Sequence, residues 1–108
     1  MKPDILVIDN HRKSITYIAT LAGFGYRIAE AHSTDEALDQ LQTGAHPSTV
    51  IVDLKLTDLS QVLPVLRAET KAQMIVIGTD ADEAYAAGAD VFLPKPVDLD
   101  AVLDAVRN

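Results

Sequence analysis

Three short apolar runs, each ending on polar residues or a lysine, constrain this 108-residue chain more than any other feature. Ile5-Leu6-Val7-Ile8 delivers Asp9-Asn10, Thr49-Val50-Ile51-Val52 delivers Asp53, and Val91-Phe92-Leu93-Pro94 delivers Lys95-Pro96. The runs are continuous rather than alternating, the pattern of strands buried on both faces of a parallel sheet. A fourth run, Met74-Ile75-Val76-Ile77, is closed by Gly78-Thr79, and the short half-polar segment from Tyr26 to Ala31 suits an edge strand. In open parallel sheets, ligands bind outside the carboxyl ends of the strands, beside the point where strand order reverses. Two acids, an amide and a lysine at strand ends therefore make one candidate site.

The segments between the strands read as helices. Ser14 is placed to cap the first, in which Ile15, Ile18, Ala19 and Ala22 recur at helical spacing, and Gly23 is expected to stop it as a left-handed C-cap. Ser33-Thr34-Asp35-Glu36 reads as a capping box, opening a helix with Ala37, Leu38 and Leu41 on one face that ends before Gly44. A third helix is expected over 60–69, with Val62, Leu63, Leu66 and Arg67 helically spaced and Pro64 near the first turn, where proline costs least. Asp82 to Ala87 supplies about two helical turns, with Asp80, Asp82 and Glu83 as caps and dipole partners. Asp98 caps a last helix with Leu99, Val102, Leu103 and Val106 on its inner stripe. Strands alternating with helices from end to end imply one α/β domain over 1–108, a doubly wound five-stranded parallel sheet with helices on both faces.

Composition narrows the partners. Net charge is −7, with Lys+Arg 9 against Asp+Glu 16 and no basic block. Direct contact with nucleic acid or an anionic membrane surface needs a positive patch, so neither is expected. A divalent cation is the partner an acidic cluster favours. The chain has no cysteine, which excludes disulfides and thiolate metal sites. No apolar run approaches the ~20 residues of a membrane span, and a cytoplasmic protein is expected. His11, His32 and His46 share no metal-like spacing and read as solvated.

With its strand ends placed, the chain resembles a response-regulator receiver domain, the phosphoacceptor module of two-component signalling. Ile-Leu-Val-Ile-Asp-Asn resembles the family's opening strand with its acidic pair, and Val-Ile-Val-Asp-Leu its phosphoacceptor strand. Ala-Gly-Ala-Asp-Val-Phe-Leu-Pro-Lys-Pro resembles its last-strand signature, including a lysine–proline bond that is typically cis. The resemblance implies a flavodoxin-like three-layer sandwich with strand order 2-1-3-4-5. It implies that Asp53 accepts the phosphoryl group, that Lys95 holds a phosphoryl oxygen, and that Asp9, Asn10, Asp53 and the backbone carbonyl of Lys55 surround a Mg²⁺ ion. Phe92 falls at the aromatic position whose rotamer reports phosphorylation. A histidine kinase or phosphotransfer protein would supply the phosphoryl group, and a downstream protein or output domain would read it. Such a domain assists its own phosphorylation and dephosphorylation without being an enzyme of metabolic turnover. Dimerisation is left open.

Several residues depart from the family pattern. Asn10 stands where the second acid of the pair is usual, which lowers the negative charge offered to Mg²⁺. The hydroxyl that closes the fourth strand falls on either Gly78 or Thr79, and only Thr79 carries one. Thr57 and Ser60 replace a usual proline and glycine, and the segment from Thr79 to Lys95 is short by roughly one to two helical turns. A runner-up function follows from these departures: a pseudo-receiver that keeps the fold as a phosphorylation-independent interaction surface. A flavin or nucleotide binder fits poorly, because Asp9-Asn10-His11-Arg12-Lys13-Ser14 lacks a phosphate cradle.

Overall fold

The apolar runs pair side by side into one parallel sheet of order β2-β1-β3-β4-β5. The computed structural model describes residues 3–9, 15–53 and 59–107. Asn10, the His11-Arg12-Lys13 run, Ser14, Lys55 and Thr57 lie outside them. In chain order the elements are β1 (Ile5–Asp9), α1 (Ile15–Gly23), β2 (Ile28–Ala31), α2 (Thr34–Gln42) and β3 (Thr49–Asp53). They continue with α3 (Leu59–Glu69), β4 (Gln73–Gly78), α4 (Ala81–Ala87), β5 (Val91–Pro94) and α5 (Leu99–Arg107). The doubly wound topology and strand order are those the sequence implied, with half-polar β2 at one edge.

Alternation along each strand sorts the core into two layers. Leu6, Ile8, Val50, Val52, Met74 and Val76 face one side, against Ala37 and Leu41 of α2, Leu63 and Leu66 of α3, and Ala84 of α4. Ile5, Val7, Ile51, Ile75, Ile77 and Leu93 face the other, against Tyr17 and Leu21 of α1 and Val102, Leu103 and Ala105 of α5. All five residues of β1 and all five of β3 are buried, which is why neither shows a polar alternation in sequence.

The structure corrects the reading of α1. Its inward stripe is Tyr17 and Leu21, with Ile18 half-buried, while Ala19 and Ala22 are exposed. The helix carries apolar residues on several faces, so spacing alone does not select the buried one. Its stop is also displaced, because Gly23 is still helical and the left-handed residue is Gly25, at φ +96°. Gly25 N–H donates to Ala22 O at 3.0 Å and Tyr26 N–H to Leu21 O at 3.3 Å, the paired bonds of a Schellman ending. Burying Leu21 requires the turn to close after it, which places the reversal at the second glycine.

Other local signals are confirmed with adjustments. Ser33 caps α2 through Glu36 N–H at 3.1 Å, but the Glu36 carboxylate reaches back to His32 N–H at 3.0 Å, one residue before the cap. Pro64 sits in the second turn of α3, not the first, on an exposed position. Arg67 is more than a stripe residue. Its guanidinium donates to Ala72 O at 3.0 Å, to Gly88 O at 3.3 Å and to the Asp90 carboxylate at 2.9 Å. Asp90 also accepts Met74 N–H at 2.8 Å. That backbone donor chiefly holds its carboxyl below the ordinary value; it outweighs the opposing cost of burial, and the guanidinium lowers the value further. One ion pair thus ties α3 to β4 and to the start of β5.

Candidate functional site

The sheet register brings the two strand-end acids together. Asp9 and Asp53 are direct neighbours in the β1–β3 ladder, so their side chains leave the same face, the one that Val7 and Ile51 share with α1 and α5. Each residue is only 3% exposed. Two carboxylates so placed repel each other and resist burial, so the site needs cationic and hydrogen-bond donors nearby.

Lys95 supplies a positive charge. It follows β5, two strands away from β3, and its Nζ lies 2.9 Å from Asp53 Oδ1. The backbone sets its reach: Lys95 N–H donates to Gly78 O at 2.9 Å, carrying the β4–β5 ladder one residue further. The Lys95–Pro96 bond is cis. A donor the sequence reading did not single out comes from below. The Tyr17 hydroxyl donates to Asp53 Oδ2 at 3.3 Å. Tyr17 is 2% exposed, with its ring in the apolar layer and its polar tip at the carboxylate. The available signal was a phenol on the helix layer beneath the strand-end acids, since a buried Tyr hydroxyl usually finds a partner. A stripe read through Ala19 and Ala22 passed over it.

At the neighbouring strand end, the structure separates Gly78 from Thr79. Gly78 closes β4 and pairs with Pro94 across the ladder. Thr79 is the exposed residue just past it, and the cap of α4 is Asp80, which accepts Glu83 N–H at 3.0 Å. The strand-closing position therefore has no hydroxyl, and Thr79 does not cap the helix. Phe92 is half-buried beside Gly78, and its N–H donates to Tyr85 Oη at 3.2 Å. The two rings sit 6.4 Å apart at a tilt of 57°.

Among the described residues, no group of three or more His, Cys, Asp or Glu side chains gathers. The site offers two hard carboxylate donors, Asp9 and Asp53, a set that suits a hard divalent cation but needs more oxygens. Asn10 and the Lys55 carbonyl lie outside the described residues. His32 and His46 are exposed.

A doubly wound parallel sheet carries two acids and a lysine together at its carboxyl edge, and the comparison with known proteins gives the family. The chain belongs to the response regulator receiver domain family, whose model matches residues 5–107. It is 32% identical over 116 residues to the transcriptional regulatory protein ZraR of Salmonella typhimurium, covering 99% of this chain and 26% of that protein. The chain thus spans about a quarter of the length of this curated relative. Among solved structures, a response regulator from Burkholderia pseudomallei is 30% identical with TM-score 0.79, over 97% of this chain and 66% of that one. That structure holds a phosphorylated aspartic acid, a calcium ion and citrate. A receiver protein from Pseudomonas putida is 28% identical with TM-score 0.82, over 99% and 97% of the two chains. The molecule is therefore a signalling domain of a two-component system. Among the described residues, no helix is long and apolar enough to cross a membrane.

Proposed function

We propose that Asp53 is the phosphoacceptor, that Lys95 binds a phosphoryl oxygen, and that Asp9 with Asp53, Asn10 and the Lys55 carbonyl holds Mg²⁺. The observation that carries this reading is the Lys95 Nζ contact at 2.9 Å with a carboxylate that is otherwise buried beside a second acid. The Lys95 ammonium stands beside the Asp53 carboxylate, where charge on an incoming phosphoryl group must be balanced. An Asp53 oxygen forms the bond to phosphorus as the donor's bond to phosphorus breaks, leaving an acyl phosphate. Bound Mg²⁺ would neutralise phosphoryl charge in the same place. Burial of Asp9 and Asp53 limits competing water.

The donor in this reading is a histidine kinase or phosphotransfer protein of the cytoplasm, and the readout is a downstream protein or output domain. A phosphorylated aspartic acid in the Burkholderia relative supports transfer of the same chemistry to this chain. With Gly78 closing β4, the hydroxyl nearest this strand end in sequence is that of Thr79, one residue beyond the ladder.

Intact mass spectrometry after incubation with Mg²⁺ and acetyl phosphate tests the proposal. One added phosphoryl group in the wild type, absent from Asp53→Asn and from a sample with EDTA, is expected. A folded wild type that takes up no phosphoryl group and does not bind beryllofluoride would sink it, and would point instead to a phosphorylation-independent interaction module.

A further inference from the structure

We propose that the Tyr17 hydroxyl is a built-in brake on the phosphorylated state: it stabilises the free Asp53 carboxylate and so shortens the life of the acyl phosphate. The inference rests on the reading of Asp53 as phosphoacceptor. Its basis is the buried Tyr17 Oη to Asp53 Oδ2 hydrogen bond at 3.3 Å, opposite the oxygen that meets Lys95.

The chemistry of the two states sets the direction. In the free domain, Asp53 carries a full negative charge over two oxygens, and a hydroxyl donated to it is charge-assisted. Such bonds are about twice as strong as neutral ones. In the acyl phosphate that charge is consumed, and Tyr17 meets an uncharged ester or carbonyl oxygen. In hydrolysis, a water oxygen bonds to phosphorus, the bond from phosphorus to the Asp53 oxygen breaks, and its electron pair returns to the carboxylate. The water protons end on phosphate and solvent. Transition states of phosphoryl transfer are loose, with the bond to the leaving oxygen largely broken. Tyr17 therefore meets most of the returning charge at the transition state and speeds the release.

Tyr17 is suited to this work by its setting. Its ring is packed in the α1/α5 layer with Leu21, Ile51 and Val102, so the hydroxyl is held at the carboxylate by the core rather than by a mobile surface chain. The phenol adds a polar group to a buried stripe, and the Asp53 carboxylate meets its need for a partner.

Tyr17→Phe removes the oxygen and keeps the ring. At 3.3 Å the bond is longer than an ordinary O–H···O bond and correspondingly weak, so removing it should lengthen the phosphoaspartate half-life by about threefold. The steady-state phosphorylated fraction should rise with it. The assay follows the decay of the acetyl-phosphate adduct by intact mass in wild type and Tyr17→Phe, with Tyr17→Leu as a second variant in case the first is disturbed in folding. Unchanged or shortened half-lives in folded variants overturn the proposal. A wild type that forms no adduct overturns the acceptor reading itself, and this proposal with it. A metal-free, phosphoryl-free measurement stands beside it, a double-mutant cycle of Tyr17→Phe with Asp53→Ala by urea unfolding. Tyr17→Phe should change stability in the wild-type background and much less in the Asp53→Ala background. Additive effects would also overturn the proposal.

Discussion

Gly78 offers the sharpest test of how the site's strand end is built. It is the last residue of β4, it is not among the left-handed glycines, and a Cβ placed on it would meet Phe92 Cε1 at 3.7 Å. That distance is ordinary van der Waals contact, so nothing in the fold demands glycine there. Replacing a glycine by alanine where the backbone conformation is compatible stabilises a protein by about 0.4–1 kcal/mol, mostly by reducing the freedom of the unfolded chain. The new contact with Phe92 adds about 0.1–0.2 kcal/mol per atom pair, too little to change that range. For a domain of this size, Gly78→Ala should therefore raise the Tm by about 2–8 °C. Thermal and urea unfolding followed by circular dichroism measure it, with an unchanged urea slope showing that only stability has moved. A fall in Tm would show that the end of β4 is tighter than 3.7 Å implies and would refute the packing argument. Gly78→Thr extends the test to function. It puts a hydroxyl at the strand-closing place beside the Lys95 backbone, and phosphorylation is then expected to shift the Phe92 ring resonances more than in the wild type.

Other outcomes follow from the same contacts. Asp90→Ala leaves the part-buried Met74 N–H without its acceptor and takes one acceptor from the Arg67 guanidinium, which keeps Ala72 O and Gly88 O; with the Asp90 side chain 45% exposed and water able to compensate in part, the cost should be about 1 kcal/mol by urea unfolding. Asp90→Asn, which keeps an acceptor for the Met74 N–H, should cost less than Asp90→Ala. Because the folded state depresses the Asp90 carboxyl, its stabilisation is complete above the ordinary value of 3.8 and is lost as pH falls through the lower folded value. Unfolding measured from pH 6 down to pH 2 should thus show a shallower acid decline in Asp90→Asn than in the wild type. Lys95→Met removes the ammonium 2.9 Å from Asp53 and should slow phosphoryl uptake from acetyl phosphate by roughly 100-fold, read by the same mass assay.

Much of this protein is legible in one dimension because a parallel strand buried on both faces is a continuous apolar run, and its end is where the chain turns polar. Asp9, Asp53 and Lys95 are found that way, and the helix starts at Ser33, Asp80 and Asp98 follow from capping chemistry that spans three or four residues. These are short-range properties, and local sequence determines them. What remained open needed neighbours distant in the chain. The buried face of α1 is chosen by the layer it packs on, so a helix apolar on several sides leaves it undecided until Tyr17 and Leu21 meet Ile51 and Val102. Gly25 rather than Gly23 reverses the chain because Leu21 is the residue buried before it. Gly78, not Thr79, closes β4 because Pro94 pairs with it. The Tyr17–Asp53 bond joins residues 36 apart, and Arg67–Asp90 joins residues 23 apart. Periodicity and caps set what each segment becomes; only the packed sheet decides which side chains share a space of a few ångströms, because that depends on register and layer together.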